Sequence, residues 1–474
     1  MSEIHDLNAE ELAGEVRAKT LSPVDITEHF LNRIDRIDDH LGAFITVTKD
    51  LALEQARNAE ARVMRDAPED LPALCGIPVP VKDLDMVAGQ RWTCGSRVYA
   101  DQRAPVDEEF VAALREAGAV FLGKTNTPEF GFPCYTENDI APPTRTPWDL
   151  TRSAGGSSGG AAAAVATGLA PVAQGSDGGG SIRIPASACG VFGVKPTRGR
   201  ISGAPAKPDM IGLSTTGPIA RTVRDAATLL DAMSISRPGD YYTAPPVVGT
   251  FRDSADRDPG RLRVARFATP VIDGVEIDAE VRTAFEETST LLAELGHDVV
   301  DIPAPFHSAV YGAFTTAWAA MATRYPLSPE DEERIRPLSR WLRERGRALS
   351  ATEYLDATGQ LQQAIRRALA TLQDFDAVLT PTLAQVPQPL GHFDADGDPE
   401  MEFLRMGAFT PFAAMYNVSG QPAVSVPLHW TNDGLPIGSM LAGRMGGEPT
   451  LIALAAQLEQ ARPWGDRTPP LWDA

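Results

Sequence analysis

The chain reads as an α/β protein with helices on both faces of a largely buried sheet. Two observations predict this. Short apolar runs recur along most of the sequence, separated by Gly-rich turns and helical patterns, the alternation expected of a covered sheet. The chain also has 474 residues, enough to build a large core, with no low-complexity segment and no internal repeat.

The elements follow in order. Ser22-Pro23 is a helix start, a capping residue followed by proline at the first helical position. Ile26, Phe30, Ile34 and Ile37 continue that helix on one face, and residues 51 to 64 form another. Residues 1–66 are therefore expected to be an N-terminal helical arm, and 67–474 a single large domain. From Gly76 the texture changes. Ala119 to Gly123 is a strand after a helical segment at 108 to 117. Val172 to Gln174 is a strand after the Ala-rich helix 159 to 168. Leu262 to Phe267 precedes a long helix at 277 to 295, and Asp376 to Thr380 and Ala423 to Pro427 are further buried strands. The Pro/Gly/Asp-rich stretches 236–260 and 381–400 read as loops.

Composition narrows the function. There are 63 acidic and 43 basic residues, a formal net charge of −20, which repels nucleic acid and anionic membranes, so neither is expected as a partner. Only Lys19, Lys49, Lys82, Lys124, Lys195 and Lys207 are lysines. Where arginine so dominates, a retained lysine raises the question of what arginine could not do there. The cysteines Cys75, Cys94, Cys134 and Cys189 show neither CxxC spacing nor a histidine at metal-ligand spacing. They are expected to be free thiols of a cytoplasmic protein, with no metal and no cofactor. The N-terminal MSEIHDLNAEEL lacks the features of a signal peptide, and no apolar run approaches a membrane span.

Chemistry concentrates in two glycine-serine stretches. Gly155-Gly156-Ser157-Ser158-Gly159-Gly160 opens an alanine run; alone it is as well explained by a tight turn before a helix. It fits neither GxxxxGK[ST] nor GxGxxG. Further on, Gly178, Gly179 and Gly180 precede Ser181. Three consecutive glycines can turn several backbone N–H groups toward one point, a nest that beside a nucleophile makes an oxyanion hole. A hydrolytic serine also needs a base. None of the seven histidines lies in these motifs. Lys82 ends an apolar, strand-like run, where burial can lower the pKa of an amine. From spacing alone, a strand-end ion pair with Asp83 or Asp85 is the better explanation of Lys82.

Taken together, GIPVPVKD (76–83), GKTNTPEFG (123–131), RSAGGSSGG (152–160), GSDGGGSIRIPASACGVFGVKPTRGRIS (175–202), GQPAVSVP (420–427) and GLPIG (434–438) resemble the amidase signature family, over nearly the whole chain. Ser157 and Ser181 stand 24 residues apart, as in the family pattern. The resemblance implies a mixed central sheet sandwiched by helices. It also implies a serine hydrolase of amide-type C–N bonds that works through an acyl-enzyme. Ser181 would be the nucleophile, Ser157 a bridging serine on a cis peptide bond, and Lys82 the base. The N–H groups of Gly178, Gly179, Gly180 and Ser181 would form the oxyanion hole. Ser158, Asp177 and Arg183 would support the loop, and Asn126, Phe130 and Trp318 would contact substrate. Lys124, Lys195 and Cys189 are expected to be structural. For Lys82 to be neutral near pH 7.5 its pKa must fall by roughly 3 units, about 4 kcal/mol, so activity should rise on the alkaline side.

The family serves many substrates, and membership alone names none. RPGD (237–240) and residues 410–438 look most like the nylon-oligomer branch, the 6-aminohexanoate cyclic dimer hydrolases; 305–345 departs from it. There Phe314, Trp318 and Met321 recur at helical spacing, as a core stripe or a pocket wall would. Segment 206–221 lacks the element associated with the tRNA-dependent glutamine amidotransferase subunit. The expected substrate is an uncharged, fairly apolar small-molecule amide, or a carbamate. An esterase with the same triad, a non-catalytic amidotransferase-like subunit and a nucleotide-binding module are the competing readings; a homodimer stays open.

Overall fold

The computed structural model describes residues 3–205 and 211–474. Lys207 and the first five residues of segment 206–221 therefore lie outside the described residues. An eight-stranded sheet forms the centre. Its strands run in the spatial order Asp298–Asp301, Arg263–Arg266, Ala377–Pro381, Pro436–Gly443, Ala423–Trp430, Phe192–Lys195, Thr215–Ala220, Val172–Asp177. The first three are mutually parallel and every later pairing is antiparallel, so the sheet is mixed. Every residue of Val172–Asp177, Thr215–Ala220 and Pro436–Gly443 is buried. Successive strand side chains point to opposite faces, so full burial means both faces are covered. Helix Ala279–Glu294 packs on the parallel end, and Arg183–Cys189 and Glu448–Ala461 pack on the central antiparallel strands.

A three-stranded sheet, ordered Phe44–Val47, Gly123–Thr125, Val81–Lys82, stands beside it. The strand expected at 119–123 begins later, at Gly123; Val120 makes only an isolated bridge to Pro78. Phe44–Val47 carries no strand expectation at all. It lies among the helices Ala9–Arg17, Pro23–Leu41 and Lys49–Arg65, and pairs antiparallel with Gly123–Thr125. The start at Ser22-Pro23 is as expected: the Ser22 hydroxyl accepts the Val24 N–H at 3.0 Å. Residues 3–66 are bound into the body. Buried Arg33 donates to the carbonyls of Gly168, Thr167 and Trp472. The loop expectation for 236–260 holds except for one short helix, Phe251–Ser254. All four cysteines are free and buried. Among the described residues no helix is long and apolar enough to cross a membrane.

Two elements point at one another from these sheets. Val81–Lys82 is held parallel to Gly123–Thr125, and the loop after Val172–Asp177 carries the three glycines. Between them, residues 155–158 lead into the helix Gly159–Ala166, all eight residues of which are buried. An alanine-rich helix has little bulk, so it can run through the interior close to both strands.

Candidate active site

Lys82 is wholly buried, and its Nζ donates to three hydroxyls: Ser157 Oγ at 2.8 Å, Ser158 Oγ at 2.9 Å and Ser176 Oγ at 3.1 Å. A fourth contact reaches the Ser176 carbonyl at 3.3 Å. The Lys82 backbone N–H donates to Gln174 Oε1 at 2.8 Å, which fixes the end of the strand. Lys124 makes an ion pair at this strand end: its Nζ lies 3.6 Å from Asp83 Oδ1 and also donates to the Asp85 carbonyl. Of the two readings of Lys82, the hydroxyl cluster describes where its amine sits.

Ser157 follows a cis peptide bond from Gly156. A Cβ on Gly156 would stand 2.7 Å from the Tyr135 backbone, so only glycine fits there. Ser158 Oγ accepts from Lys82, donates to the Ser176 carbonyl at 3.1 Å and accepts the Ser176 N–H at 3.2 Å. Ser158 N–H donates to the Ser181 carbonyl at 3.0 Å, which ties the two serine loops together. Ser157 and Ser181 line the same cavity, and no hydrogen bond joins their hydroxyls.

The glycine loop is held from beneath. Gly180 has φ +128°, a conformation glycine adopts freely, and a Cβ there would meet Ala413 and Ile184 at 2.7 Å. Asp177 accepts the Gly180 N–H at 2.7 Å and the Ile182 N–H at 3.1 Å. The Gly180 amide, expected in the oxyanion hole, is thus already engaged. The N–H groups of Gly178, Gly179 and Ser181 have no protein acceptor among the described residues. Arg183 grips Asp177 with two hydrogen bonds of 2.9 Å, both side chains fully buried. Asn417 closes the group, donating to Asp177 Oδ1 and to its carbonyl at 2.8 Å each and accepting from Arg183 at 2.7 Å. Burial alone would raise the Asp177 pKa, but the Arg183 charge and hydrogen bonds reverse this and hold the carboxyl well below its usual range. Nearby Lys195 is buried, donates to the Pro196 carbonyl at 2.9 Å and is lowered to about 7, first by burial and then by the Arg183 charge. Cys189 sits in the main core cluster, and burial pushes its thiol up.

Ser181 stands where two cavities meet. The larger, about 290 Å³, is bordered by Ser157, Phe130, Trp318, Met321 and Tyr325. The smaller, about 70 Å³, is bordered by Gly179, Ile184, Phe314, Trp318 and Met415. The stripe Phe314, Trp318, Met321 on helix Ala309–Ala322 is therefore a pocket wall. Phe130 stacks on Tyr325 with ring centres 4.3 Å apart. No histidine borders either cavity. Glu108 does border the larger one, and burial, opposed by the Met86 N–H and Lys124, raises its carboxyl to about 8. A more voluminous trough of about 910 Å³ lies over helix Ala279–Glu294 and contains none of these groups.

Asn126 is not brought to either cavity. Its side-chain amide donates to the carbonyls of Gly42 and Pro142, and its oxygen accepts from Asn138, so it fastens loops rather than facing a ligand. Sequence reasoning assigned no role to Ser176 or Asn417. Ser176 lies inside the quoted glycine-serine motif, one residue before Asp177, but its place beside Lys82 joins segments far apart in the chain, which spacing does not show. Asn417 has no such signal, because its partners are more than 200 residues away in the chain.

Comparison with known proteins agrees with this geometry. A family model described as Amidase matches residues 25–452. AmiB2 of Mycobacterium tuberculosis, provisionally called an amidase, is 42% identical over 94% of both chains. The 6-aminohexanoate-cyclic-dimer hydrolase of Pseudomonas sp. is 35% identical, covering 96% of this chain and 95% of that one. The solved structure of a 6-aminohexanoate cyclic dimer hydrolase bound to substrate superposes with a TM-score of 0.90 at 32% identity, covering 99% of both chains.

Proposed function

Because the chain belongs to the Amidase family and is an amide hydrolase of the amidase signature type, we propose that Lys82, Ser157 and Ser181 are its catalytic triad and that it works through an acyl-enzyme. One observation carries this reading: a buried amine 2.8 Å from the hydroxyl of Ser157, which borders the same cavity as Ser181.

The cycle balances on these residues. Neutral Lys82 takes the Ser157 proton while Ser157 takes that of Ser181. Ser181 Oγ bonds to the substrate carbonyl carbon, and the N–H groups of Gly178, Gly179 and Ser181 receive the negative oxygen. Ser157 then gives a proton to the departing nitrogen and regains one from Lys82, the C–N bond breaks, and the acyl group stays on Ser181. Water gives a proton to Ser157, which passes one to Lys82, as its oxygen bonds to the ester carbon; the bond to Ser181 Oγ then breaks, Ser157 returns a proton to Ser181 and regains one from Lys82, and the acid leaves. A lysine suits this relay because its ammonium can lose a proton, whereas a guanidinium cannot. Asp177, Arg183 and Asn417 hold the loop in place, and Ser158 and Ser176 hold the amine.

The substrate is an uncharged, fairly apolar small-molecule amide or carbamate, met by Phe130 and Trp318. Support for this comes from the aromatic walls of the cavities, and from relatives named as acting on 6-aminohexanoate cyclic dimer or named acylamidase. A panel of anilide, nylon-oligomer, carbamate and ester substrates tests the reading. Ser181→Ala is expected to lose at least about 10³-fold in kcat on whichever member is turned over. Equal turnover by the variant and the wild type would remove Ser181 as nucleophile.

A further inference from the structure

We propose that Trp318 divides the site into a short acyl chamber and a roomier leaving-group chamber, so that the preferred substrates join a short acyl group to a bulky, flat, apolar amine. The inference rests on the reading above, in which Ser157 returns the proton to the departing nitrogen.

Orientation follows from which serine borders which cavity. Ser181 borders both, and Ser157 borders only the larger. Once Ser181 has attacked, the reacting carbon carries three other groups: the negative oxygen, the nitrogen and the acyl chain. The oxygen goes to the glycine amides. The nitrogen must come within hydrogen-bond reach of Ser157, hence into the larger cavity. The acyl chain is left with the smaller one.

Size then sets the preference. Pockets that enclose drug-sized ligands commonly run to about 300–1,000 Å³. The leaving-group side, about 290 Å³, approaches that range, and the acyl side, about 70 Å³, holds only a few heavy atoms. The larger chamber is also walled by rings, with Phe130 stacked on Tyr325, so a flat amine has faces to lie against.

The divider is held by packing on three sides. Trp318 stacks on Phe314 with ring centres 5.3 Å apart and meets Phe132 edge-on at 5.5 Å. On its third side lies the glycine loop, where a Cβ added to Gly178 would come 3.3 Å from the indole. Trp318 and Phe132 alone among the aromatic residues border both chambers.

The test is a set of p-nitroanilides carrying acetyl, butyryl and octanoyl groups, given to wild type, Trp318→Phe and Trp318→Ala. A second set holds the acetyl group and compares aniline with 2-naphthylamine, two amines of similar basicity. In wild type, kcat/KM is expected to fall at least about tenfold from acetyl to octanoyl, while the naphthylamide stays within about threefold of the anilide. Trp318→Ala joins the chambers and is expected to shrink the acetyl-to-octanoyl ratio to about threefold or less, with Trp318→Phe between. Wild-type enzyme that turns over the octanoyl anilide as well as the acetyl one overturns the partition, as does an unchanged ratio in a folded Trp318→Ala protein. Ser181→Ala is run alongside. Turnover surviving in that variant would strike at the triad itself, whereas an inactive variant with a reversed chain-length order in wild type would strike only at the partition.

Discussion

The two sides of Ser181 are built on opposite principles. Beneath it, the polar side consists of short-range hydrogen bonds among Lys82, Ser157, Ser158 and Ser176, with the Asp177–Arg183–Asn417 group under the glycines. Above it, the apolar side consists of rings on a helix that joins neither sheet: Phe314 and Trp318, packed on Phe132. Lys82, Ser158, Ser176, Asp177 and Arg183 are each fixed by several directional partners. Trp318 is fixed by shape alone. The contrast teaches where change is tolerated. Altering the polar side should abolish the reaction or the fold, while altering the apolar side should redirect which substrates are chosen.

The sharpest way to break the comparison is at Lys82. Lys82→Met keeps most of the side-chain volume and removes the base. A drop in kcat of about 10³–10⁴-fold is expected, with near-native circular dichroism. A folded variant with kcat within tenfold of wild type would mean that the polar side is not the reaction centre.

Asp177→Ala is next. It leaves the Arg183 charge buried without its carboxylate, so the expected loss is about 3–5 kcal/mol of stability, measured by urea unfolding. A loss below 1 kcal/mol, roughly the worth of an exposed pair, would show that the group does not hold the loop.

Glu108 sharpens the comparison because it is a carboxyl placed on the cavity wall. Its folded pKa is raised to about 8 from an ordinary value of 4.5. Between those values the folded chain keeps a proton that the unfolded chain gives up. Its contribution is therefore intact below about pH 4.5, is lost as pH rises toward 8, and is fully lost above that. Wild-type stability is expected to fall relative to Glu108→Gln by up to about 1.4 kcal/mol per pH unit across that window. Parallel stability curves for the two proteins would dismiss the effect.

The smallest effect is expected on the apolar side. The Tyr311 hydroxyl is buried with no hydrogen-bond partner among the described residues, and burial raises its pKa to about 12. Tyr311→Phe removes an unsatisfied group. Thermal unfolding should show no loss, and a gain of up to about 1 kcal/mol. A clear loss would mean that the hydroxyl has a partner the present contacts omit.

Legibility differs between the same two sides. Lys82, Ser157 and Ser181 could be singled out because each lies in a short motif whose glycines serve local backbone geometry, and because those motifs together resemble one family. Phe314, Trp318 and Met321 were visible only as a helical stripe, and periodicity reports a buried face without saying whether core or cavity lies opposite. Asn126 shows the converse error. It sits in a motif, yet its amide is taken by the carbonyls of Gly42 and Pro142, groups its own segment does not contain. The strand Phe44–Val47 was missed because it is only four residues long and its partner, Gly123–Thr125, lies far along the chain.

The amino-acid sequence on its own determined the family, the alternation of buried strands and helices, and the residue types available for the reaction, because these depend on local spacing and on side-chain chemistry. Only the tertiary structure decided that Lys124 pairs with Asp83, that Asp177 takes the Gly180 amide, and that Trp318 borders both cavities beside Ser181. The first and last of these outcomes bring groups distant in sequence to one place in space, and chain spacing carries no record of which group arrives there.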